Sequence, residues 1–167
     1  MAKAGGLPTL DLAAGVAALE ADIPRVLNLL NAPSLEALGW SRPSKAVLLV
    51  PMKTGADDYL LRLGFQAYRA WPPSAQFVNP LTKTYSPPAD RCCVPKLVGQ
   101  ECQTHLEYGT GKIQLICCSA TLEFYEVLHN VEPQHVWRET DTFYTTIVAI
   151  QRAFASSYQG RFSVDGR

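Results

Sequence analysis

The sequence has little charge: 18% of its 167 residues are Asp, Glu, Lys or Arg, and fifteen basic residues balance fifteen acidic ones. It has no basic stripe, which argues against a protein whose affinity comes mainly from neutralising nucleic-acid phosphates. No apolar run approaches the roughly 18–20 residues that a membrane helix needs. The opening Met1-Ala2-Lys3-Ala4-Gly5-Gly6 lacks the long apolar stretch of a secretory signal. No nucleic-acid partner and no membrane partner are therefore expected, and a cytoplasmic location is. Cysteine is too sparse and irregular for a disulfide scaffold: the five fall as Cys92-Cys93, Cys102 and Cys117-Cys118, an odd number with two adjacent pairs. In a reducing compartment such residues are thiols, metal ligands or nucleophiles.

What is present suits a folded domain. The chain is 47% hydrophobic with seven Tyr, six Phe and three Trp, enough to bury a core without metal or disulfide staples. Leu12, Val16, Leu19, Ile23, Val26, Leu27 and Leu30 recur at helical steps; Asp11 caps this first helix and Asn31-Ala32-Pro33 ends it. Pro24 predicts a kink, or two short helices with Asp22 capping the second. Lys45 to Met52 and Asp57 to Tyr68 read as strands joined by a turn at Lys53-Thr54-Gly55-Ala56, with a third strand at Ala75-Gln76-Phe77-Val78. Residues from Asn79 to Gly111, with Pro80, Pro87, Pro88 and Pro95 and three cysteines, predict a long functional loop. Strand-like alternation returns from Lys112 to Cys118. Phe143, Ile147, Ile150, Phe154 and Tyr158 predict a second amphipathic helix capped by Thr140 or Asp141, and a loose tail follows from Gln159 to Arg167. The expectation is an α+β layer fold, one domain over residues 1–158 with a flexible tail at 159–167.

The segment Tyr68-Arg69-Ala70-Trp71-Pro72-Pro73, the strand Gln76-Phe77-Val78-Asn79-Pro80 and the run Ile116-Cys117-Cys118-Ser119-Ala120-Thr121-Leu122-Glu123-Phe124 together resemble the ubiquitin-conjugating enzymes. The similarity is to the divergent branch found with bacterial ubiquitin-like conjugation systems. That family has a Tyr-Pro-x-x-Pro-Pro turn after its meander, and its bacterial branch carries a pattern like Ile-Cys-x-x-Gly-Thr-x-Glu-Tyr, followed by His and Trp. His129, His135 and Trp137 stand in the corresponding stretch. The resemblance covers roughly residues 10–158 and implies an N-terminal helix, an antiparallel meander and a C-terminal crossing helix. It also implies a catalytic cysteine carrying a ubiquitin-like protein as a thioester. Its spacing selects Cys117 as that nucleophile. Two departures stand out: the His-Pro-Asn tripeptide of the eukaryotic enzymes is absent before Cys117, and Arg69 replaces the proline after Tyr68. The oxyanion donor is then open among Asn79, Asn130 and loop N–H groups.

A thiolate suits acyl carriage because it is both nucleophile and leaving group. No cofactor is needed at this step, since ATP is spent upstream. On a continuing strand Cys118 faces opposite to Cys117, so one of the two meets the acyl donor; Cys118 and Cys102 are the lesser candidates, and each thiol has burial as its alternative role. His129, His135 and Glu123 are candidates for orienting or deprotonating the incoming amine; solvation is the alternative for each. Trp137 and Tyr68 read as packing residues. The resemblance implies three partners (an activating enzyme, a ubiquitin-like protein and a protein target) and an association with antiviral defence. Part of residues 11–30 is then expected to be exposed for the activating enzyme. Other readings stay open. Cys102-Gln103-Thr104-His105 with Cys92-Cys93 has spacing suited to a structural zinc site; a Cys-His-acid amidase needs residues that are all present; and a non-catalytic ubiquitin-like-binding module needs only the fold.

Overall fold

The computed structural model describes residues 8–127 and 136–167. Helix α1 (Leu12–Leu29) is followed by strands β1 (Ser41–Ser44), β2 (Val47–Thr54), β3 (Asp57–Gly64) and β4 (Ser74–Val78), which form an antiparallel sheet in sequential order. Strands β5 (Pro95–Leu97), β6 (Cys102–Tyr108) and β7 (Ile113–Cys118) follow, then the short helix α2 (Leu122–Glu126), helix α3 (Phe143–Ser157) and strand β8 (Tyr158–Arg161). The architecture is α+β.

The meander forms where period-2 alternation lies between turn residues. Gly55 takes a φ of 57° in the two-residue turn between Thr54 and Asp57, a backbone state that costs glycine nothing. One sheet face, carrying Leu48, Val50, Leu61, Leu63, Phe65 and Phe77, packs in the main core with Phe143, Ile147, Ile150 and Phe154 of α3. Phe77 meets Phe154 edge-on at 6.0 Å, and Phe65 meets Phe143 at 5.9 Å. Each such side chain contributes about 1.5–3 kcal/mol by leaving water. The other face carries a smaller cluster of Leu49, Leu60 and Val78, packed by Val47 and Tyr85.

Helix α1 begins as expected, with the Asp11 carboxylate accepting from Ala14 N at 3.0 Å. It ends at Leu30 and Asn31, whose φ of 51° closes the last turn. Three expectations are corrected here. The helix runs uninterrupted through Pro24, because Leu19 and Val26 on either side are fully buried and hold both halves on the same surface. Asp22 caps nothing; it is buried within the helix. The inward stripe is Gly15, Leu19, Asp22 and Val26, displaced from the apolar one. Leu12, 57% exposed, lies off it.

The meander has four strands, not three, since Ser41–Ser44 adds an edge. The predicted long loop contains the 3-10 turn Ala89–Cys93 and strands β5 and β6. Strand β6 escapes a periodicity reading because one of its inward positions is Thr104. That hydroxyl is satisfied by Leu97 N at 2.9 Å and the Pro95 carbonyl at 2.6 Å. The expected tail begins as strand β8, which pairs with β5, and Phe162 N bonds the Val94 carbonyl beyond it. Tyr158, expected on the helix face, starts that strand, where its hydroxyl meets Asp57 and Tyr59. Helix α3 takes Thr142 as its N-cap residue rather than Thr140 or Asp141. The Asp141 carboxylate instead accepts from Arg138 N at 2.8 Å.

No described helix is long and apolar enough to cross a membrane.

Candidate functional site

The β6–β7 hairpin carries the candidate nucleophile. Its register sets Gln103 opposite Cys117 and Cys102 opposite Cys118. As strand alternation requires, Cys117 and Cys118 differ in environment: Cys117 is half-buried and Cys118 buried. Burial, and secondarily the Cys118 charge, push the Cys117 thiol above the ordinary thiol range. Cys118 is shifted the other way. The Cys102 thiol and the Ala120 N–H donate to it and hold it below that range despite its burial, while Cys102 is held well above.

The turn after the cysteines is fixed from several sides. Thr121 N bonds the Cys118 carbonyl at 2.9 Å, and the Thr121 hydroxyl donates to the carbonyls of Ile116 and Cys118. Thr146 of α3 donates to the Ala120 carbonyl at 2.6 Å. Leu122 N bonds the carbonyl of Pro73, which joins this turn to the Tyr68–Pro73 segment. Trp71 packs on Tyr125 at 5.2 Å, and Tyr125 donates to the Ser119 carbonyl. Trp137 donates its indole N–H to the Arg69 carbonyl at 2.9 Å, a packing role as expected. Gln114 does what an extra strand would do: its amide accepts from Phe77 N at 2.7 Å and donates to Phe77 O at 3.0 Å, tying β7 to β4.

Arg69 of the Tyr68–Pro73 segment bonds both carboxylate oxygens of Asp22 at 2.6 and 3.0 Å. Tyr68 donates to the same carboxylate at 2.6 Å and accepts from Phe143 N at 2.8 Å. The arrangement joins α1, the turn and the start of α3.

Glu123 is not the solvated carboxylate of the sequence reading. It is 9% exposed and accepts from the Ser74 hydroxyl and from Ala75 N at 3.0 Å, so α2 is tied to the start of β4. Burial pushes its carboxyl up to about 7 against the pull of these hydrogen bonds. Because the folded state keeps a proton that the unfolded chain releases from 4.5 upward, the associated stability is complete below pH 4.5 and is lost as pH rises through 7. The expected loss is about 3 kcal/mol. Urea unfolding of wild type and Glu123→Gln at acid and alkaline pH measures it. The wild-type stability should fall by that amount relative to the variant, and a constant difference would show that Glu123 titrates in the fold as it does in the unfolded chain.

His129, His135 and Asn130 lie outside the described residues. Asn79 is engaged in its own loop, donating to Asp90 at 2.8 Å and accepting from Leu81 N at 2.9 Å. The zinc spacing does not survive folding: Cys102 and His105 are three residues apart on one strand and therefore face opposite sides. His105 packs against Tyr108 instead, at 5.2 Å. Among the described residues no three His, Cys, Asp or Glu side chains are grouped to hold a metal ion.

A cleft of about 460 Å3 opens beside Cys118, lined also by Leu29, Glu101, Ser119, Tyr144 and Arg152. Sequence reasoning missed this cleft and the Cys102–Cys118 pair, because both depend on the β6–β7 register. Comparison with protein-family models, with curated proteins and with solved structures gives no match to this chain.

Proposed function

We propose that this protein is an acyl carrier of the ubiquitin-conjugating type: Cys117 accepts the C-terminal acyl group of a ubiquitin-like protein from an activating enzyme and passes it to an amine on a protein target. The observation that carries the reading is the half-buried Cys117 at the end of β7, immediately before a turn held by Thr121, Thr146 and Pro73. The order of helix, antiparallel meander, cysteine strand and helix supports it. In loading, the Cys117 sulfur attacks the activated carbonyl, its proton passes to a base, and the activating enzyme's thiol leaves; attack by an amine then breaks the thioester. On this reading the protein works in the bacterial cytoplasm, within an antiviral conjugation system.

The thiol of Cys117 is not pre-ionised, since burial and Cys118 both hold its proton. Loading should therefore speed up about tenfold per pH unit below its pKa. Intact mass spectrometry after incubation with the activating enzyme, ubiquitin-like protein and ATP encoded beside it tests the assignment. A thiol-labile adduct should form, vanish in Cys117→Ala and persist in Cys118→Ala. An adduct that survives in Cys117→Ala rejects Cys117. The raised Cys117 thiol favours one second reading, a non-catalytic ubiquitin-like-binding module; binding of the ubiquitin-like protein without any adduct would select it.

A further inference from the structure

We infer that Cys102 and Cys118 form a modification site for small disulfides: Cys118 takes up an incoming sulfur from the adjoining cleft, Cys102 resolves it into a cross-strand disulfide, and the reactivity of Cys117 changes as a result. The inference needs no activating enzyme and stands apart from the proposed acyl transfer.

Register provides the geometry. Cys102 and Cys118 are direct partners across the β6–β7 ladder. Residues so paired have Cα atoms roughly 4.5–5.5 Å apart, inside the span of roughly 4.4–6.8 Å that a disulfide bridges. Both are buried, at 2% and 3% exposure, so neither is a surface thiol open to any reagent.

Their surroundings assign the two roles. Cys118 receives the Cys102 S–H and the Ala120 N–H, which favours its thiolate, while Cys102 keeps its proton. Access agrees with this. Cys118 borders the cleft of about 460 Å3, whereas Cys102 borders a depression of about 80 Å3 with Gly99 and Ser157. Arg152 and Glu101, an exposed cation and an exposed anion, line the larger cleft. That suits a disulfide bearing both carboxylate and ammonium groups, of which glutathione disulfide is the probe.

In the first step the Cys118 thiolate attacks one sulfur of the small disulfide. Its S–S bond breaks, a mixed disulfide forms and one small thiolate leaves. Cys102 then loses its proton and attacks the Cys118 sulfur, and the second small thiol departs with that proton. Two cysteines are oxidised and one small disulfide is reduced to two thiols. The thiolate charge of Cys118, which helps hold the proton on Cys117, disappears with the cross-link. Cys117 then ionises more readily.

The test uses the full chain in glutathione redox buffers, quenched with acid, alkylated and followed by intact mass and peptide mapping. The expected result is a reversible Cys102–Cys118 cross-linked peptide. Cys102→Ser should stall as a glutathione adduct on Cys118, and Cys118→Ser should leave Cys102 unmodified. In the oxidised wild type Cys117 should alkylate severalfold faster at a fixed neutral pH, because the Cys118 charge that helps hold its proton is gone. A cross-link at Cys92–Cys93 or Cys117–Cys118 instead, glutathione on Cys102 in Cys118→Ser, or an unchanged Cys117 rate would overturn the inference. If either serine variant fails to fold, the wild-type peptide map and Cys117 rate decide.

Discussion

Asp22→Ala is expected to remove about 3–5 kcal/mol of unfolding free energy, the cost of stripping one partner from a buried ion pair. The carboxylate is fully buried and serves three donors: Arg25 at 2.8 Å, Arg69 through two nitrogens, and Tyr68. Alanine leaves the Tyr68 hydroxyl without its acceptor and the Arg69 guanidinium beside an apolar cavity. Tyr68 also accepts from the first N–H of α3, so the loss reaches from α1 to α3 through one phenol. Burial and Asp22 push that phenol's pKa up, so it keeps the proton it donates. Arg25 provides the control. Its side chain is 55% exposed, and Arg25→Ala should cost under about 1 kcal/mol. Urea unfolding of the two variants checks the contrast. Equal, small losses would mean that the Asp22 network contributes little.

Gly15→Ala is expected to destabilise the fold by more than about 3 kcal/mol, beyond the ordinary cost of overpacking. A Cβ at position 15 would stand 1.8 Å from the carbonyl oxygen of Phe65 and 3.0 Å from its carbon. The obstacle is backbone, so no rotamer change relieves it, and α1 must move off the end of β3. That movement would also break the bond from Asp11 N to Gln66 O, now 2.7 Å. Helix propensity alone predicts the opposite sign, since alanine is the better helix former by about 1 kcal/mol. Thermal unfolding therefore separates the two effects by direction: a fall in Tm supports the close approach, and a rise rejects it.

The same glycine shows what one-dimensional patterns convey. Periodicity locates α1, the meander and α3, because helices and strands that face a core on one side must repeat their apolar residues at the period of the backbone. It does not report which residue touches what. Val16 and Ile23 satisfy the apolar pattern of α1, yet Gly15 and Asp22 are the buried positions. One is chosen by a backbone contact and the other by an ion pair from the β3–β4 turn, and neither has a local signature. Glu123 reads in sequence as an acid near a cysteine, and folding turns it to the start of β4. Strand β6 is hidden because its inward Thr104 is polar and becomes buried only through partners on β5.

The candidate site divides in the same way. The position of Cys117 at the end of a strand, and the opposition of its neighbour, follow from alternation and were legible beforehand. The pairing of Cys102 with Cys118, the separation of Cys102 from His105, and the opposite shifts of Cys117 and Cys118 were not. Each depends on strand register or on a donor from another segment. The α+β class and the strand carrying Cys117 are thus determined locally, by repeats of two and 3.6 residues along the chain. Tertiary structure alone decided which thiol is shielded, which faces a cleft and which carboxylates are occupied, because hydrogen bonding and desolvation act between residues that the sequence keeps far apart.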